Sequence, residues 1–85
     1  MQITKTQYTE TKQLGTFRNH FGYGEVTEYT FETTRNMNEE RVLEVLKENG
    51  FNAYGFIQVI KNEIDYSIEQ MAKVFRYVVR EVEYV

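Results

Sequence analysis

The stretch "YSIEQMAKVFRYVVREVEYV", residues 66–85, holds the densest run of large apolar side chains in the sequence, and its reading decides the architecture. Ser67 followed by Gln70 matches a helix capping box, in which a hydroxyl and a side-chain amide satisfy two free backbone N–H groups. Beyond it, Ile68, Met71, Phe75, Val78 and Val82 recur at three- and four-residue steps, the spacing of one helix face. A second apolar strip follows Val74, Tyr77 and Tyr84 or Val85. A helix apolar on two sides is buried between layers or shared with another chain. The expectation is therefore a long C-terminal helix, with Val74, Tyr77 and Tyr84 at a homodimer interface. Glu69 and Lys73 form an i,i+4 pair on that helix, and Lys73, Arg76 and Arg80 a solvated basic stripe.

Upstream, "NAYGFIQVIKNEI" (residues 52–64) supports two readings. Ala53, Phe56, Ile57, Ile60 and Ile64 keep a helical spacing, whereas the β-branched and aromatic content and Gly55 favour a strand. Helix is the preferred reading because the same spacing runs on into the last element. The strand reading has a functional side. "YGFIQV", Tyr54 to Val59, resembles the RNA-stacking strand of cold-shock domains, with Asn52 and Ala53 where that family has lysine and glycine. The resemblance implies stacking of bases on Tyr54 and Phe56.

"NMNEERVLEVLKENGF" (residues 36–51) is a helix of about three turns. Asn38 can cap it, Glu39 and Glu40 suit its positive end, and Met37 can staple onto Val42. Gly50 supplies a left-handed cap, with Phe51 placed to touch Leu46. Before this helix, "EVTEYTFETT" (residues 25–34) alternates Thr27, Tyr29, Phe31 and Thr33 with Val26, Glu28, Thr30 and Glu32: a half-buried strand with an aromatic inner and an acidic outer face. Residues 2–14 are threonine-rich with few large apolar groups, as in an edge strand. Between the two, Gly15 to Gly24 reads as a broad hairpin connection, with Phe17, Phe21 and Tyr23 folded over the core. The fold expected is α+β: one small domain over residues 1–85, an N-terminal antiparallel strand pair covered by two or three helices.

Eighty-five residues give a thin core, and no cysteine is present to staple it. The absence of cysteine fits a reducing cytoplasm. Neither a signal peptide nor an apolar run long enough to cross a bilayer is read, so no membrane is expected. The formal net charge is −3, and direct nucleic-acid binding, which needs a basic footprint, is not expected. Acidity is concentrated in residues 25–48, where seven acids face three bases.

Catalytic groups are sparse: one serine explained as a cap, and one histidine, His20, with no acid within three residues. No metal, cofactor or catalytic site is read, and the chain is expected to be no enzyme. What remains is an acidic row. Glu40, Glu44 and Glu48 repeat at i,i+4, where like charges cost roughly 0.2 to 0.5 kcal/mol per pair. Glu28 and Glu32 would extend that row if the helix packs beside their strand. The expected function is a small acidic protein-binding module docking on a basic partner, a nuclease or other nucleic-acid-binding protein. Size, acidity and aromatic richness resemble the profile of phage or mobile-element inhibitors, including anti-CRISPR proteins. The alternatives are a nucleic-acid-binding regulator using Lys73, Arg76 and Arg80 or the Tyr54 and Phe56 rings, and a small structural homodimer.

Overall fold

In the computed structural model, which describes residues 1–13, 21–53 and 56–84, the stretch read as a long helix is a central strand. The element order is β1 (Thr4–Gln13), β2 (Phe21–Thr33), α1 (Glu39–Glu48), β3 (Phe56–Ser67) and β4 (Ala72–Tyr84). The four strands form one antiparallel sheet in the order β1-β2-β4-β3. This corrects the α+β expectation. Among the described residues there is one ten-residue helix rather than a cover of two or three, and the protein is mainly β.

The reason lies in long-range pairing. Along β4, Phe75, Tyr77 and Val79 point to the face that α1 covers, while Arg76, Val78, Arg80 and Val82 point to the other. The expected seam of Phe75, Val78 and Val82 is thus divided between two faces, and because both faces of β4 carry apolar side chains, helical and alternate spacings coincide in its sequence. Val74 lies at an even position and Tyr77 at an odd one, so the two share no face; the Tyr84 side chain lies outside what the structure describes. Tyr77 is fully buried, which removes it from any dimer interface. The segment 52–62, read preferentially as helix, instead contributes most of β3.

Ser67 and Gln70 do interact, but in a turn. The Gln70 N–H donates to Ser67 Oγ at 3.3 Å and the Met71 N–H to the Ile68 carbonyl at 3.3 Å, closing the β3–β4 hairpin. Serine and threonine offer the same local bond to a turn as to a helix start. Lys73 pairs with Glu63 across the hairpin at 3.5 Å, not with Glu69. Gly22 and Gly24, placed in a connection by their sequence, lie in β2 opposite Lys12 and Glu10. Gly15, Phe17 and His20 lie outside the described residues.

The helix follows its local signals. Asn38 Oδ1 accepts from the Arg41 N–H at 2.9 Å. At the other end, Gly50 has φ +84°. Its N–H donates to Lys47 O and that of Phe51 to Leu46 O, a Schellman pair that satisfies two end carbonyls. Val42, Val45 and Leu46 then pack on Tyr29, Phe31, Tyr77 and Val79 of the sheet, with Met37 in the same cluster. Phe31 and Tyr77 stack at 5.3 Å, and Phe51 meets Tyr29 at 5.5 Å. The Tyr77 hydroxyl donates to Arg35 O and accepts from the Met37 N–H, pinning the segment that leads into α1. Burial, with the Glu81 carboxylate, raises the Tyr29 phenol above its ordinary value.

One helix about 15 Å long covers only part of strands that run about 40 Å. The radius of gyration, 15.7 Å, accordingly exceeds the roughly 12 Å of a compact chain this size. Beyond the Thr33–Phe75 pair, β3 and β4 continue without β2 as an arm. A register shift between Glu63 and Asp65 marks its base.

Candidate functional site

The helix-free face of the sheet carries a charge ladder set by register. Glu28 lies opposite Arg80 and Glu32 opposite Arg76 on adjacent strands, so same-face side chains meet. Arg76 binds Glu32 through Nε and Nη2 at 3.1 and 2.8 Å. Arg80 reaches past β2 to Glu10 on β1, and its Nε lies 3.9 Å from Glu28. The Tyr8 hydroxyl donates to Glu28 at 2.7 Å.

Because Glu10 sits opposite Gly24 and Arg80 opposite Glu28, the line between the two crosses β2 at Val26. The alkyl stem of an arginine covers apolar surface while its head stays charged. Val26 and its partner Val82 are buried on this face although α1 lies on the other. Tyr8, then Glu10, raise the Arg80 guanidinium above its ordinary value against partial desolvation.

The acids singled out in the sequence fall into two groups that the structure does not bring together. Glu28 and Glu32 sit within the ladder on the helix-free face, each beside an arginine. Glu40, Glu44 and Glu48 are exposed on α1, across the sheet from them. Arg41 spans Glu44 and Glu48 at 3.0 and 2.9 Å, and these bonds, that to Glu48 first, raise its pKa. Glu40 has no ion-pair partner among the described residues. The basic stripe is likewise engaged: Lys73, Arg76 and Arg80 each meet a carboxylate. Tyr54 lies outside the described residues.

No protein family, curated protein or solved structure matches this chain. The phage, inhibitor and anti-CRISPR profile rested on size, acidity, aromatic richness and the lack of catalytic groups. No relative supplies such a role, so the profile is without support and is not carried forward. Among the described residues, no group of three potential metal ligands occurs, and no helix is long and apolar enough to cross a membrane.

Two further features were not read from the sequence. A depression of about 470 Å³ opens between the C-terminal half of α1 and the start of β3, lined by Leu43, Leu46, Phe51, Ala53 and Ile57 together with Lys47 and Asn52. At the end of the arm, Ile68 is 84% and Met71 79% exposed. Met71 has φ +48°, a left-handed conformation normally left to glycine or asparagine. The Ser67–Gln70 bond that closes this turn also marks a helix start, so the local sequence carries no distinct signal for an exposed tip.

Proposed function

We propose that this chain is a non-enzymatic interaction module that docks on a basic protein, a nuclease or other nucleic-acid-handling protein, through the solvent face of α1. The observation that carries this reading is the row of Glu40, Glu44 and Glu48 on a helix whose opposite side is locked into the core. The ten helical residues hold four acids and two bases; Arg41 engages Glu44 and Glu48 but leaves Glu40 without an ion-pair partner among the described residues, and the net negative charge of the face favours a basic partner. The competing reading, a nucleic-acid-binding regulator, needs free cations, and the carboxylates beside Lys73, Arg76 and Arg80 weigh against it. A cytoplasmic location accords with the cysteine-free chain.

The test is capture of proteins on the immobilised chain, from extracts of cells that make it, with and without nuclease treatment. Glu40→Lys combined with Glu44→Lys is expected to leave thermal stability nearly unchanged and to abolish capture of a nuclease-resistant partner. Unaltered capture would return the row to a merely solubilising face, and capture lost on nuclease treatment would favour the nucleic-acid reading.

A further inference from the structure

The tip of the β3–β4 arm places its most apolar side chains where water alone meets them. Ile68 and Met71 are the most exposed large hydrophobic residues among those described, and Tyr66 and Ile64 add to them along the arm. Nothing in the turn itself calls for these residues. Its hydrogen bonds come from the backbone and Ser67, and a glycine at position 71 would adopt φ +48° without the steric conflict that a Cβ brings. We propose that the tip is a self-docking finger: Ile68 and Met71 of one copy enter the depression between α1 and β3 of a second copy, which returns its own tip to the first. This does not depend on the acidic-face reading.

Three observations select a second copy as the occupant. First, the depression is lined mainly by apolar side chains, and Ile57 within it is itself exposed. Second, the charges match. Glu69 stands between the two apolar tip residues, Lys47 lies at the depression, and both are exposed with no ion-pair partner among the described residues. Glu63, at the base of the arm, is already held by Lys73. An acidic tip of this kind does not suit an anionic bilayer.

Third, the two features lie at opposite ends of one edge strand. Ile57 is near the start of β3 and Ile68 follows its last residue, a separation of about 36 Å along the strand. Two copies running antiparallel, with their β3 edges side by side, therefore place each tip at the other's depression. The contact is isologous and closes at two copies, whereas a single tip in a single depression would propagate into a filament. It also shields β3, an edge strand of the sheet, from unspecific pairing.

Sedimentation velocity on the full chain, from micromolar to submillimolar concentration, tests this. The wild-type protein is expected to show a monomer–dimer equilibrium. Ile68→Asp should raise the dissociation constant by at least about tenfold, because apolar burial is lost at two symmetric sites, with the circular dichroism spectrum unchanged. Met71→Gly should separate the two roles of that residue, raising the melting temperature while weakening the dimer. Glu69→Lys and Lys47→Glu should each weaken association, and the double variant should restore it. A wild-type chain that is monomeric throughout would overturn the proposal. So would a dimer that Ile68→Asp and Lys47→Glu leave intact.

Discussion

Tyr77→Phe will lower the melting temperature by about 10 °C. The substitution keeps the ring in its stack on Phe31 but removes a hydroxyl that both donates to Arg35 O and accepts from the Met37 N–H. Leaving such buried groups without partners costs about 1–3 kcal/mol, and each kcal/mol moves the midpoint by about 4–8 °C in a domain this small. Tyr77→Ala adds loss of the buried ring, for about 5 kcal/mol in all. Thermal unfolding followed by circular dichroism separates the two variants. Were Tyr77 instead at a homodimer interface on a long helix, as its spacing in the sequence suggests, Tyr77→Phe would leave the melting temperature nearly unchanged, since no hydroxyl bond to Arg35 or Met37 would then be lost.

The second large effect is expected at Leu46. Its side chain is buried between α1 and the sheet, and its carbonyl accepts the Phe51 N–H of the helix cap. Leu46→Ala should cost about 3 kcal/mol through lost contacts and the cavity left behind. Leu43, only partly buried against the same cluster, should cost distinctly less when changed to alanine. Because α1 is held by one face alone, the loss should appear first as faster amide exchange in residues 39–48, before global unfolding. Equal exchange in α1 and β4 would mean that helix and sheet open as one unit.

What was legible in the sequence was what local chemistry controls. Asn38 before two glutamates and Gly50 before Phe51 specify the two ends of α1 through bonds within a few residues. The alternation in residues 25–34 exposed the inward Tyr29 and Phe31, because one face of β2 is apolar and the other polar. The last strand gave no such contrast. Val78 and Val79 are adjacent, and the face away from the helix carries Val74, Val78 and Val82 between arginines, so apolar residues fall at helical spacings as readily as at alternate ones. Only the pairing of β4 with β2, dozens of residues away, and with β3 across the hairpin decides between them. The Arg80–Glu10 contact is of the same kind: it joins residues 70 apart and depends on the register of two ladders. The turn at Ser67 misled for a further reason, since its side-chain bond to Gln70 also opens a helix.

The positions of both the acidic helix and the apolar tip depend on β4 being the strand between β2 and β3. Nuclear Overhauser contacts measured on the isotopically labelled protein test that point most directly. The fold predicts cross-strand Hα–Hα contacts at alternate pairs between Val26–Val82 and Phe31–Tyr77, continuing on the other edge between β4 and β3. An unbroken series of sequential amide–amide contacts from Ala72 to Tyr84, with no cross-strand contacts, would mean a C-terminal helix and would contradict the account.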